Sequence, residues 1–288
     1  MVISRATGRM KRLHFLTANG FPKALYRPVI AHIEKSIMSK SKGEISVSSA
    51  STDVFEYIDE NQDWTGMVNC VIREVETRMK EEGPVIGVGH SLGGALFGAA
   101  ATARPDLFSS LVLIDPPLFN PLKRSLIGAA YCLPKHVIYK MHPMISKALK
   151  KPDRWASREE AEAFLKSKRL FSRFDPEVLR IFINECVVPD RDSVSLLVST
   201  AREAAVYYHT PPDIPGHFRK NFWLNRFNVP GTVVYSDSES LMSPYDVWWL
   251  KQSVKNLKAV PYRGGHFWCL EAPVAFADYI SDVLLEMN

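Results

Sequence analysis

A serine between two glycines is the residue of this sequence best placed to act as a nucleophile. Residues 89–93 read Gly-His-Ser-Leu-Gly, so Ser91 has a glycine two positions away on each side. The apolar run "PVIGV" precedes this segment and small residues follow it, which predicts a buried strand, a sharp turn and a helix. Such a turn presents the serine hydroxyl at a helix N-terminus, where backbone N–H groups stabilise negative charge. The same pattern also fits a plain glycine-rich turn without chemistry.

The elements that must hold Ser91 in place alternate between strands and helices. Apolar runs predict strands at 12–17, 84–91 and 110–116 and in "EISVSSAS", with helical periods between them. The pattern returns after residue 227, with strands in "VPGTVVYSD" and "LKAVPY" and a closing helix in "VAFADYISDVLLEM". Continuously apolar strands between helices indicate a parallel sheet covered on both faces.

The middle of the chain has a different character, because strand-like runs are absent there. Helical periods dominate, as in "SREEAEAFLKSKRLFSRF" and "DPEVLRIFINECVV". We therefore expect an α/β core made of residues 1–116 and 227–288, with residues 117–226 inserted as a helical lid.

Composition favours a globular protein without a nucleic-acid partner. The chain has 288 residues, of which 46% are hydrophobic and 23% charged, and a net charge of +5. Its basic residues are scattered apart from a short cluster near the start, so nucleic-acid binding is not expected. The four cysteines are far apart without a Cys-x-x-Cys spacing, which favours a reducing compartment and argues against a zinc site.

The expected location is cytoplasmic. No apolar run is long enough to span a bilayer. The first residues are basic and free of acids, so a mitochondrial location is the alternative. The sequence does not decide between a monomer and a homodimer.

The chain resembles the α/β-hydrolase superfamily, in the lidded branch that holds serine esterases, lactonases and C–C hydrolases. The resemblance covers nearly the whole chain, is weakest in the insertion, and rests on the serine turn, on "FLTANGFP" and on "YRGGHFWCLEAP". It implies an α/β-hydrolase fold with a mostly parallel sheet flanked by helices. It also implies an oxyanion hole formed by the backbone N–H groups of Phe21 and Leu92. Asn19 stands where the family usually has a histidine.

The resemblance places the catalytic base at His266, which follows two glycines late in the chain. An imidazole beside a serine hydroxyl takes its proton during attack. The family usually carries the acid that orients this imidazole three residues beyond a small residue, here Ser236, which points to Glu239. Asp237 in the same loop and Asp115 at the end of "LVLID" remain alternatives.

A serine at the turn argues against the relatives that attack with an aspartate, namely epoxide hydrolases and haloalkane dehalogenases. No metal-ligand spacing, dinucleotide fingerprint or P-loop lysine is present, so no cofactor is expected. We expect a serine hydrolase that forms an acyl-serine from a small-to-medium, mainly apolar ester, lactone or related acyl substrate. A small-molecule receptor, or a lyase or cyclase of secondary metabolism, is the alternative on the same fold. Substrate contacts are expected from His90, Tyr208, Trp223 and Phe267.

Overall fold

The computed structural model describes residues 9–57, 63–210 and 229–287, and at its centre lies a six-stranded sheet. Its strands are β1 (Arg9–Leu16), β2 (Ile45–Thr52), β3 (Val85–His90), β4 (Phe108–Ile114), β8 (Gly231–Ser236) and β9 (Leu257–Tyr262). They lie in the order β2-β1-β3-β4-β8-β9, and each neighbouring pair is parallel. The predicted parallel α/β sheet is therefore confirmed.

Helices cover both faces of this sheet. The core helices are α1 (Arg27–Lys40), α2 (Trp64–Glu82), α3 (Leu92–Ala103), α10 (Pro244–Ser253), α11 (Trp268–Glu271) and α12 (Pro273–Glu286). Along β4, Leu111 and Leu113 pack with α2, α3 and α10, whereas Val112 and Ile114 pack with α1 and α12. Successive side chains of a strand point to opposite faces, so a strand buried on both faces must be apolar throughout.

The described residues between β4 and β8, which we call the insertion, form helices and a second, smaller sheet. The helices are α4 (Pro121–Ala130), α5 (Lys135–Met141), α6 (Pro143–Lys150), α7 (Arg158–Lys166), α8 (Pro176–Ile181) and α9 (Thr200–His209). The strands β5 (Arg154–Trp155), β6 (Val187–Asp190) and β7 (Ser193–Leu196) lie in the antiparallel order β5-β7-β6.

The prediction that this region lacks strands is therefore wrong. The stretch "DPEVLRIFINECVV" begins as α8, passes through a π-helical turn at Phe182–Cys186, and ends in β6. Val187 and Val188 are β-branched, and they extend the chain so that it pairs with β7.

An arginine of the insertion forms ion pairs with two glutamates of the core. The guanidinium of Arg173 contacts Glu239, in the loop after β8, and Glu271, in α11, each at 3.0 Å. The division into a core and a lid at residues 116/117 and 226/227 stays a prediction, and its second boundary lies outside the described residues. Within the described ranges, no helix is both long enough and apolar enough to cross a membrane.

Candidate active site

Ser91 occupies the sharp turn between β3 and α3. Its backbone has φ = 55°, in the left-handed region that residues other than glycine rarely adopt. A Cβ atom at Gly89 would lie 2.5 Å from the backbone nitrogen of Gly94, and one at Gly93 would overlap the carbonyl of Leu16. Only glycine fits these two positions, so the turn closes tightly and the backbone strain is carried by Ser91.

His266 and Asp115 are in direct contact. Nδ1 of His266 lies 2.5 Å from Oδ2 of Asp115, and their side chains are 14% and 0% exposed. Since the carboxylate accepts a hydrogen bond from the Nδ1–H group, Nε2 is the ring nitrogen that can take up a proton from another group. The preceding Gly264 has φ = 151°, and a Cβ atom at Gly265 would lie 2.8 Å from the Arg173 guanidinium. Gly264 is therefore required for the loop that carries His266, whereas a side chain at Gly265 would meet only the ends of flexible side chains.

Asp115 is held by the last residue of β8 and by the loop that follows it. Its backbone has φ = 41°, and its side chain is completely buried. Besides the imidazole, the carboxylate accepts hydrogen bonds from the Ser236 N–H (3.4 Å), the Ser240 hydroxyl and the Leu241 N–H (3.2 Å). A carboxylate fixed by four donors can orient an imidazole and stabilise its charged form.

Glu239, the acid that the resemblance favoured, contacts an arginine of the insertion instead of His266. Its carboxylate is 43% exposed and lies 3.0 Å from Arg173. Asp237 is exposed, and its carboxylate accepts a hydrogen bond from the Gly264 N–H at 3.4 Å. Of the three candidate acids, the structure brings Asp115 to the imidazole.

The two predicted oxyanion donors lie in different surroundings. Leu92 is the first residue of α3 and lines the same cavity as Ser91. N–H groups in the first turn of a helix have no acceptor within that helix. The N–H of Phe21 instead donates to the Ala18 carbonyl at 3.2 Å, and the Phe21 ring packs 4.7 Å from that of Phe267. The structure thus places Leu92 at the site, whereas the Phe21 amide is engaged in a turn.

Ser91 and His266 line one cavity of about 190 Å³ between the core and the insertion. The core also contributes Ala18, Asn19, Leu92, Leu241 and Phe267. The residues between β4 and β8 contribute Pro117, Phe119, Ile127, Tyr131, His142, Met144, Tyr207 and Thr210. Most of these side chains are aliphatic or aromatic, so the cavity can bury an apolar group beside the serine.

The ionisable groups that the insertion adds to this cavity are uncharged at neutral pH. Burial raises the pKa of Tyr131 to about 12 and raises the pKa of Tyr207 even further. Burial also lowers the pKa of His142 below its ordinary value, which favours the neutral imidazole. This wall of the cavity therefore favours a neutral ligand.

Only some of the residues predicted to contact substrate line the cavity. Phe267 lines the cavity, but Tyr208 packs among aromatic side chains of the insertion, and the neighbouring Tyr207 lines the cavity in its place. Consecutive residues of a helix point about 100° apart, so an error of one position exchanges the two faces. Trp223 lies outside the described residues.

Comparison with known proteins identifies the family. The model of the alpha/beta hydrolase family matches residues 45–279, which include Ser91, Asp115 and His266. This chain belongs to the alpha/beta hydrolase family. The matched range starts after the turn that contains Asn19 and Phe21.

Curated relatives match only part of the chain. The abhydrolase domain-containing protein AFT2-1 of Alternaria alternata is 28% identical over 113 residues, which are 39% of this chain and 37% of that protein. Lipase LipV of Mycobacterium tuberculosis is 38% identical over 77 residues, which are 26% of this chain and 28% of the lipase. The chain thus spans little more than a third of the length of the first of these relatives.

Solved structures match over nearly the whole chain. The peroxisomal alpha-beta-hydrolase Lpx1 of Saccharomyces cerevisiae has a TM-score of 0.75 at 16% identity, covering 98% of this chain and 77% of that one. E-2-(acetamidomethylene)succinate hydrolase has a TM-score of 0.68 at 18% identity, covering 96% and 92%. At such low identity the likeness establishes the alpha/beta hydrolase fold.

His90, expected to contact substrate, is instead buried and forms hydrogen bonds to residues of two other segments of the site. It is 2% exposed, and its Nε2 lies 2.9 Å from the backbone carbonyl oxygen of His266, to which it must donate. Nδ1 then accepts a hydrogen bond from the Tyr26 hydroxyl at 2.7 Å, and that hydroxyl accepts one from the Ala18 N–H at 3.1 Å. This chain of bonds joins the last residue of β3 to the segments that follow β1 and β9, and sequence spacing offered no signal for it.

We expect His90 to make the native state less stable in acid. Burial lowers the pKa of this imidazole well below its ordinary value, so below about pH 6.5 the unfolded chain takes up a proton that the native state does not. The free energy of unfolding should then fall with decreasing pH, with this residue contributing up to about 1.4 kcal/mol per pH unit.

Urea unfolding of the wild type and of His90→Gln, at pH values from about 7.5 down to about 5, measures this contribution. Glutamine keeps a donor and an acceptor but does not titrate there. The variant should show a shallower pH dependence than the wild type. Equal slopes would show that His90 is protonated in the native state.

Proposed function

We propose that this protein is a serine hydrolase that cleaves small-to-medium, mainly apolar esters or related acyl substrates through an acyl-serine at Ser91. One observation supports the proposal above all. Ser91, on its strained turn, and His266, which contacts the buried Asp115, line the same apolar cavity. The names of two similar proteins, lipase LipV and the naproxen esterase of Bacillus subtilis, are consistent with this class.

In the proposed acylation step, Nε2 of His266 takes the hydroxyl proton of Ser91 as Oγ attacks the carbonyl carbon. The carbonyl π electrons move to oxygen, and the Leu92 N–H at the helix N-terminus stabilises the resulting oxyanion. Asp115 stabilises the imidazolium. When the tetrahedral intermediate collapses, the bond to the leaving oxygen breaks and His266 returns the proton to it.

In the proposed deacylation step, water takes the place of the leaving alcohol. His266 accepts a proton from this water as its oxygen attacks the acyl carbon. Collapse of the second tetrahedral intermediate breaks the bond to Oγ of Ser91, which regains the proton from the imidazolium, and the carboxylic acid leaves.

The insertion, in this proposal, acts as a lid that supplies the pocket for the apolar part of the substrate. Phe119, Ile127 and Met144 line the cavity from this side, together with groups that burial keeps uncharged. Burying one methylene group is worth about 0.8 kcal/mol, so each added methylene should raise catalytic efficiency by at most about fourfold until the pocket is full.

We therefore expect kcat/KM for p-nitrophenyl esters to rise from acetate toward the longer chains up to octanoate. Ile127→Trp should move the optimum to shorter chains, because the indole fills space that the acyl chain would occupy. The measurement is the series of kcat/KM values for the wild type and this variant.

Leu126→Trp is the matched control, because Leu126 is the preceding residue of α4 and its side chain is 66% exposed. It should leave the chain-length profile unchanged. A flat profile in all three proteins would contradict the apolar acyl pocket. Binding of esters without turnover would instead favour a receptor or a non-hydrolytic enzyme on this fold.

A further inference from the structure

We propose that the outer face of the insertion around α4 docks on an anionic lipid bilayer. This docking face is defined by five exposed apolar side chains, namely Leu122, Leu126, Leu133, Met141 and Met144. The proposal goes beyond ester hydrolysis, because it concerns where the protein binds and not what it cleaves.

The docking face is more apolar than a solvated helix surface. Leu122 and Leu126 lie one turn apart on α4, and each is 66% exposed. Met141, at the end of α5, is 62% exposed, and Leu133, in the turn between these helices, is 40% exposed. Single exposed leucines are common, but five exposed aliphatic side chains between residues 122 and 144 mark a region that binds something.

The charge of this region identifies the partner. Residues 117–152 contain seven Lys or Arg and no Asp or Glu, whereas the rest of the chain has 29 Lys or Arg against 31 Asp or Glu. Asp246 and Glu203 pair with Lys123 and Lys151. The exposed lysines of α5 and α6, which alternate with the apolar residues, are Lys135, Lys140, Lys147 and Lys150.

This combination fits a bilayer better than a protein. Protein interfaces are enriched in aromatic residues, methionine and arginine and depleted in lysine, so the lysines around this face distinguish it from a protein interface. Lysines around exposed aliphatic side chains match the interface of an anionic membrane, where the aliphatic groups enter the acyl region and the ammonium groups reach the headgroups.

The docking face also borders the entrance of the catalytic cavity. Met144 is 38% exposed and lines the cavity as well. On α4, Ile127 lines the cavity while the neighbouring Leu126 lies on the docking face. A bilayer bound here would lie against the cavity mouth, so an apolar ester could pass between lipid and site without crossing water.

Co-sedimentation with vesicles tests the proposal. We expect the purified protein to sediment with phosphatidylcholine vesicles that contain about one third phosphatidylserine, and at least about tenfold less with pure phosphatidylcholine. Binding to the anionic vesicles should fall steeply between about 0.1 M and about 0.5 M NaCl. The double variants Leu122→Ser/Leu126→Ser and Lys140→Gln/Lys147→Gln should each lower the partition coefficient about tenfold or more.

Matched controls lie elsewhere on the surface. Met38→Ser removes a 54% exposed apolar side chain from α1, and Lys255→Gln/Lys258→Gln removes two exposed lysines near the start of β9. Both controls should bind as the wild type does, and thermal unfolding verifies that every variant is folded. Ser91→Ala should also bind normally, so loss of hydrolysis and loss of bilayer binding are separate outcomes.

Three results would overturn the proposal. The first is the absence of binding to anionic vesicles. The second is binding that the docking-face variants do not weaken more than the controls do. The third is a change from dimer to monomer in light scattering of Leu122→Ser/Leu126→Ser without a change in vesicle binding, which would assign the face to a second copy of the chain.

Discussion

Ser91→Ala is expected to lower kcat for an ester substrate by about 10⁴-fold or more. The variant lacks the attacking oxygen, and only substrate binding and the oxyanion donor remain to accelerate hydrolysis by water. Alanine is smaller than serine and fits the same turn, so the thermal midpoint should stay close to that of the wild type. The measurement is steady-state turnover of p-nitrophenyl butyrate beside a thermal unfolding curve.

Ser109→Ala is the matched control for this experiment. Ser109 is an exposed serine of β4 whose hydroxyl donates to the Val85 carbonyl at 3.2 Å, near the opposite ends of the strands. Its replacement should leave kcat within about twofold of the wild-type value. If Ser91→Ala retained more than about a tenth of the wild-type activity, Ser91 could not be the nucleophile.

Asp115→Asn is expected to lower kcat by about 10⁴-fold, the second large effect. The amide cannot stabilise an imidazolium. Its NH₂ group also favours the tautomer in which Nδ1 accepts and Nε2 carries the proton, so His266 could no longer take a proton from Ser91. The pH dependence of kcat/KM and the kcat itself should be compared between this variant and the wild type.

Glu239→Gln tests whether Glu239, which the family pattern favoured, or Asp115 is the acid that acts on His266. Its carboxylate is 43% exposed and pairs with Arg173, and exposed ion pairs contribute little to stability. We expect a change in kcat of less than about threefold. A loss of activity in Glu239→Gln or Asp237→Asn larger than that in Asp115→Asn would contradict the assignment of Asp115.

Local patterns in the sequence were sufficient to predict the parallel sheet and the serine turn, but not the small sheet β5-β7-β6. The turn at Ser91 depends on residues within a few positions of it, since the glycines at 89 and 93 are what allow the backbone to close. The strands are predictable for the same reason, because burial on both faces requires a continuous apolar run, as in β3 and β4.

The partner of His266 could not be chosen from the sequence, because it depends on contacts between distant segments. Asp115 meets the imidazole because its own backbone adopts φ = 41° and because the last residue of β8 and the loop after it supply three further donors. Glu239 is engaged by Arg173, which lies 66 positions earlier in the insertion. No spacing rule within one loop contains this information.

The pocket was harder still to predict. Tyr207 and Tyr208 are identical side chains at successive positions, so the sequence does not distinguish them. Only the packing of α9 decides that Tyr207 lines the cavity. His90 was expected to contact substrate because of its place beside Ser91. Its burial and its bonds to Tyr26 and His266 become evident only when the end of β3 meets the segments after β1 and β9.

Covalent labelling tests the proposed nucleophile and its partners most directly. A fluorophosphonate reacts with a serine only when a neighbouring base activates the hydroxyl, so the rate of labelling reports the nucleophile independently of the natural substrate. We expect one phosphonylated residue, identified as Ser91 by peptide mass spectrometry, with a rate that falls by about 10³-fold or more in Asp115→Asn and His266→Ala and stays near wild type in Glu239→Gln. Labelling at another serine, or equal labelling rates in wild type and Asp115→Asn, would contradict the proposed site.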